Sequence, residues 1–151
     1  MNKTQLLKRI INRLNRDYPA VVVRYQGDHQ LHISKGAEDG FDVVVDIGAN
    51  ENTLVFGEWH NHFEQSEEGE SELLWVMSLG LSRLGRLSVT YRGTEAVRSA
   101  FETQQENGSW EWYAEMGTVT FNPFVKKTTR YFQNDLIPAK DIRPDPSTKD
   151  Q

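Results

Sequence analysis

The chain has 151 residues, a formal net charge of −5 at pH 7, 37% hydrophobic residues and no cysteine. That length suits one folded unit with its own core, and the lack of thiols excludes disulfides, thiol catalysis and thiolate metal sites. No apolar run approaches the roughly 18 residues needed to span a bilayer, and the N-terminus opens without an apolar leader, so the chain reads as cytoplasmic with no membrane role.

Leu6, Leu7, Ile10, Ile11 and Leu14 recur at helical spacing and predict an amphipathic helix over about 3–17, stopped by Tyr18-Pro19. Strands follow at 20–25 and 31–34, joined by the turn Gln26-Gly27-Asp28. A third strand alternates through Phe41, Val43, Val45 and Ile47, and a fourth runs from Thr53 to Phe63. Four strands with short turns predict an antiparallel meander. Residues 64–71 read as an acidic loop in which Ser66 can cap a helix carrying Leu73, Leu74, Met77, Leu81 and Leu84, with Gly85 at its C-terminus. A strand over 86–91 leads to a short helix from Gly93-Thr94 through Phe101. Asn107-Gly108 then turns the chain into a strand with Trp110, Trp112 and Ala114 on one face, read as core. Val119 and Phe121 continue on a facing strand, and 125–132 adds another. The expected architecture is α+β: one domain over 1–137, with the central helix packed on the meander, then a polar, proline-containing disordered tail over 138–151.

Charge is unevenly distributed. Residues 38–72 hold eleven acids and no Lys or Arg, whereas residues 1–25 hold six basic residues against Asp17 alone. Gathered on one face, the acids would repel nucleic acid and attract a basic protein; spread over solvated faces, they would do neither.

The distinctive local feature is Glu58-Trp59-His60-Asn61-His62-Phe63-Glu64. In an extended strand, period-2 alternation puts Glu58, His60, His62 and Glu64 on one face and Trp59, Asn61 and Phe63 on the other. Two imidazoles at i and i+2 can converge on one zinc or another divalent transition metal, with Glu58, Glu64 or Asp46 as a third ligand. His60 beside a carboxylate could equally serve as a general base. The bland reading is that the histidines cap a strand end or face a partner. His29 and His32 flank a hairpin turn and read as exposed strand residues. No phosphate-binding glycine loop, nucleophile elbow or H-E-x-x-H is present.

Leu54 to Glu64 resembles the strand φ-x-φ-F-G-x-aromatic-H-x-H-F-[DE] of a group of small, mostly uncharacterised bacterial proteins, some of them similar to the immunity partners of toxins. In both, a loop, an apolar helix and a strand follow. The likeness covers residues 53–91. The group's closing Ser-Trp-x-Gly-x-x-Asp is only echoed by Arg130 to Asp135, which lacks the Trp and Gly. The resemblance implies no catalytic residue. The expected function is therefore a non-enzymatic, immunity-like protein–protein interaction without a cofactor, in which Glu58, Trp59, His60, His62, Glu64, Glu67 and Glu68 meet a basic partner protein. The alternatives are a metal-binding or metal-dependent enzyme centred on His60 and His62, and a homo-oligomeric structural subunit using a meander edge or the Trp110/Trp112 face.

Overall fold

The computed structural model describes residues 3–117 and 126–142. Helix α1 (Lys3–Asp17) buries Leu6, Leu7, Ile10 and Leu14 along one stripe and stops before Pro19, which disfavours helical geometry in the residue preceding it.

Sheet A is an antiparallel meander of β1 (Val23–Gln26), β2 (Gln30–Ile33), β3 (Val43–Ile47), β4 (Glu51–Phe56) and β5 (Trp59–Glu64), in that spatial order. The single strand expected over 53–63 is in fact two. Gly57 adopts φ +52°, a left-handed conformation, and Gly57-Glu58 folds the chain back with Phe56 opposite Trp59. Alternation buries Leu31, Ile33, Val43, Val45, Leu54, Phe56, Trp59 and Phe63 on the inner face.

Helix α2 (Glu67–Leu81) starts inside the expected loop. Ser66 Oγ accepts the Gly69 N–H at 3.0 Å, and Glu67, Glu68 and Glu70 lie at the positive end of the helix dipole. Glycine is needed at 69, because a Cβ there would lie 2.1 Å from the Glu64 carbonyl oxygen. The helix closes on Ser82 rather than on Gly85, which instead opens the next strand.

Sheet B comprises β6 (Gly85–Arg92), β7 (Glu95–Gln104), β8 (Trp110–Gly117) and β9 (Lys127–Phe132), ordered β8-β7-β6-β9. The short helix expected from Gly93-Thr94 to Phe101 is strand β7. Gly93, at φ +63°, and Thr94 form a two-residue hairpin turn between Arg92 and Glu95, and β7 then pairs on both sides. The face expected to hold Trp110, Trp112 and Ala114 together is also corrected. Glu102 pairs with Trp112 but Phe101 with Ala114, so a β-bulge at Tyr113 breaks the alternation. Tyr113, Ala114 and Met116 pack on the core, whereas Trp112 is 58% exposed. The expected strand through Val119 and Phe121 lies outside the described residues.

One hydrophobic cluster joins α1, the inner face of sheet A, α2 and the Leu87, Val89 and Phe101 side chains of sheet B. At its centre the Phe41, Phe56, Trp59 and Phe101 rings meet at centroid distances of 4.9 to 5.3 Å. After β9 the chain straps across α2. The Leu136 and Ile137 N–H groups reach the Leu81 carbonyl, and Tyr18 Oη donates to Asp141 Oδ2 at 2.9 Å. Of the stretch read as a disordered tail, Ala139–Asp141 form a 3-10 turn, and 143–151 lie outside the described residues. The fold is α+β, as the sequence predicts. No helix among the described residues is long and apolar enough to cross a membrane.

Candidate functional site

The expected site falls on β5 and the first turn of α2. β5 is the last strand of sheet A, and its outward face carries His60, His62 and Glu64, all exposed. Period 2 therefore groups these three as expected. Glu58 separates from them, because it sits in the hairpin turn at the far end of the strand. Trp59, expected among the partner-facing side chains, is a core residue. It is 1% exposed, and its indole N–H donates to the Ala114 carbonyl at 3.1 Å, tying the edge of sheet A to β8. The His60 N–H points at Met116 Sδ at 3.3 Å. β8 thus crosses this edge at its Trp59–His60 end.

The two imidazole rings lie 5.2 Å apart, edge to face. His62 Nδ1 is 2.9 Å from Thr53 Oγ1 and 3.1 Å from Glu51 Oε1, both from the neighbouring strand. Its other ring nitrogen, Nε2, has no hydrogen-bond partner among the described residues. Asp46, considered as a third metal ligand, is in the wrong place: its Oδ1 faces His29 Nε2 at 3.8 Å, two strands from His62. Among the described residues no group of three His, Asp or Glu side chains is arranged to hold a metal ion. His29 is exposed, as expected, whereas His32, also expected to be exposed, is half-buried beside Gln30.

The acidic stretch divides between the two ends of sheet A. Glu38, Asp39, Asp42 and Glu58 lie at one end, where Gly57 N–H bonds the Asp42 carbonyl. Glu51, Glu64, Glu67 and Glu68 are exposed at the other, with Glu51 directly opposite Glu64 across the β4–β5 ladder. At about 3.3 Å per residue, the length of the strands keeps these groups roughly 15–20 Å apart. Glu72 stands further along α2 and accepts the Tyr113 hydroxyl at 2.6 Å.

Glu51 was not among the residues singled out from the sequence, yet it holds His62 and faces Glu64. The signal that finds it is the Gly57-Glu58 turn, because counting outward from that turn pairs Glu51 with Glu64. Set against protein-family models, curated proteins and solved structures, the chain has no match.

Proposed function

We propose that the chain is a non-enzymatic protein-binding domain, immunity-like in kind, which engages a basic partner protein through the β4–β5 end of sheet A and the first turn of α2. The observation carrying this reading is the juxtaposition of Glu51 and Glu64 with Glu67 and Glu68, all exposed, in a stretch with no Lys or Arg. Like charges directly opposite in a ladder cost stability, roughly 0.2–1 kcal/mol. Such a cost is offset when a cationic surface docks, and the same field speeds encounter. His60 and His62 supply polar, partly aromatic contacts beside the carboxylates. The other acidic end lies too far away to join the same small interface.

The experiment is titration calorimetry of the chain against a small cationic protein at about 50 and about 500 mM salt, conditions that differ severalfold in Debye length. Affinity falls at least tenfold at the higher salt, and the Glu64→Lys/Glu67→Lys double variant loses a similar factor while keeping the wild-type melting temperature. Salt-independent binding, or full binding by the charge-reversed variant, rejects the reading.

A zinc-binding role for His60 and His62 is the second reading. One observation favours it: Glu51 holds His62 Nδ1, the way outer carboxylates orient metal-binding imidazoles. On this reading, added zinc raises the melting temperature of untagged protein, and His62→Ala abolishes the rise. A melting curve that zinc does not move removes it.

A further inference from the structure

We propose that the outward face of sheet B is a self-association surface, occupied by the same face of a second copy of this chain. The inference stands on residues remote from the acidic end of sheet A and does not depend on it.

The face is built by alternation and by the bulge in β8. Arg86, Ser88 and Thr90 point outward from β6, opposite the buried Leu87 and Val89. Glu102 and Ala100 continue the face on β7, Trp110 and Trp112 on β8, and Tyr131 on β9. The Arg86 guanidinium lies 4.3 Å from the Trp110 ring centre and 4.4 Å from that of Tyr131. Glu102 holds it from the side, accepting from Nε at 3.2 Å. The Arg98 guanidinium lies 4.4 Å from the Trp112 ring centre and is paired with Glu115. Each exposed ring is thus stacked against a planar cation that a carboxylate fixes in place.

Three properties point to a second copy as the occupant. The first is composition. Trp, Tyr and Arg are the side chains enriched at the energetic centres of protein interfaces, and here Trp112 and Tyr131 are 58% and 55% exposed. Their stacked, ion-paired setting lowers the ordering entropy that binding costs. The second is charge. The two arginines of the ladder are matched by Glu102 and Glu115, and beyond them Arg92 lies between Glu95 and Lys127 across the strands, so the face is close to charge balance. A second copy of a nearly balanced face brings little repulsion to a two-fold contact. The third is relief. Glu115, Ala100, Ser88 and Tyr131 form one row across the four strands, in which Ala100 is buried beneath the ladder and Ser88 half-buried, leaving the Trp112 and Tyr131 rings raised above the sheet. The raised rings of one copy can pack beside those of the other.

Size places the contact among the small ones. Four strands spaced about 4.8 Å, each about six residues long over the shared stretch and showing about three of them on the face, give a patch roughly 20 Å by 20 Å. Two such patches bury roughly 800 Å², the size of weak, reversible contacts, for which micromolar dissociation constants are expected.

Sedimentation equilibrium of the full chain from about 5 to about 500 µM spans that range and tests the proposal. The average mass climbs from 17.4 kDa toward twice that value. Trp112→Ser and Tyr131→Lys, at positions more than half exposed, keep the far-UV circular dichroism of the wild type and weaken association at least tenfold. If one of them misfolds, the other carries the comparison. Glu64→Lys, on the acidic end of sheet A, leaves the mass curve unchanged, separating this contact from the one proposed for the basic partner. A wild-type mass of 17.4 kDa throughout, undiminished association in a folded variant, or loss of association in Glu64→Lys overturns the proposal.

Discussion

Replacing Asn134 by alanine is expected to lower the free energy of unfolding by about 3 kcal/mol, which for a chain of this size moves the melting temperature down by roughly 6–12 °C. Asn134 is 2% exposed and follows β9 at the start of the C-terminal strap. Its Oδ1 accepts the Phe41 N–H at 3.1 Å. Its Nδ2 donates to the Phe41 carbonyl at 3.0 Å and to the Gly80 carbonyl at 3.1 Å. One side chain therefore satisfies three buried backbone groups, joining the entry to β3, the last turn of α2 and the C-terminal segment. Alanine leaves all three without that partner, and an orphaned buried polar group costs roughly 1–3 kcal/mol. Gly40 completes the fit, since a Cβ there would lie 2.4 Å from Asn134 Oδ1. Asn134→Asp separates hydrogen bonding from packing. An ionised carboxylate of nearly the same shape can accept from Phe41 but cannot donate to either carbonyl, and it buries a charge. At neutral pH the aspartate variant is at least as destabilised as the alanine one in urea titration. Unfolding free energies within about 1 kcal/mol of wild type for both variants would show that the strap contributes little to stability.

Nothing in the local sequence announces Asn134, because a lone polar residue in an irregular stretch looks like surface until its distant partners are placed. Features with local causes fared better. The stripe from Leu6 to Leu14 gives α1, Ser66 marks the start of α2, and the alternation through Val43, Val45 and Ile47 gives β3. Placement of His60 and His62 on one exposed face also follows from period 2 alone. The misreadings have identifiable physical origins. Phe56 and Trp59 are both strand-formers, so the only sign of a break between β4 and β5 is Gly57, whose left-handed φ is invisible in the sequence. β7 passes for a helix because Ala96, Val97, Ala100 and Phe101 fall at helical spacing. In the fold, Ser99 to Glu102 are buried consecutively, with the core on one side and the arginine–aromatic ladder on the other, which erases alternation. The bulge at Tyr113 likewise turns two tryptophans outward that a regular strand would have kept in phase with Ala114. The division of the acidic stretch between two ends of a sheet needed strand register, which composition does not carry.

The second large effect is expected at Gly80, where alanine should destabilise the protein by about 2 kcal/mol even though alanine is the better helix former by about 1 kcal/mol. A Cβ at this position would lie 2.4, 2.7 and 2.9 Å from Cζ, Cε2 and Cε1 of Phe56. That ring cannot retreat. Phe56 is fully buried, with Phe41, Trp59 and Phe101 around it at centroid distances of 5.2, 5.1 and 4.9 Å. The added methyl must instead push α2 away from sheet A, along the line where the helix also passes β5. Shortening the obstacle should therefore compensate. Phe56→Leu is destabilising alone, because it empties part of a packed aromatic cluster, yet combined with Gly80→Ala it should cost less than the sum by more than about 1 kcal/mol. Simple additivity in urea titrations of the four proteins would mean that the helix is not held at this distance by the Gly80–Phe56 contact. The displacement also reaches the surface. Glu67 and Glu68 ride on α2, whereas Glu51 and Glu64 belong to the sheet, so lifting the helix separates the two halves of the acidic edge. If the proposed binding of a cationic protein holds, Gly80→Ala binds it more weakly under conditions where it remains folded, and the double variant loses less of stability and affinity than the sum of the two single changes.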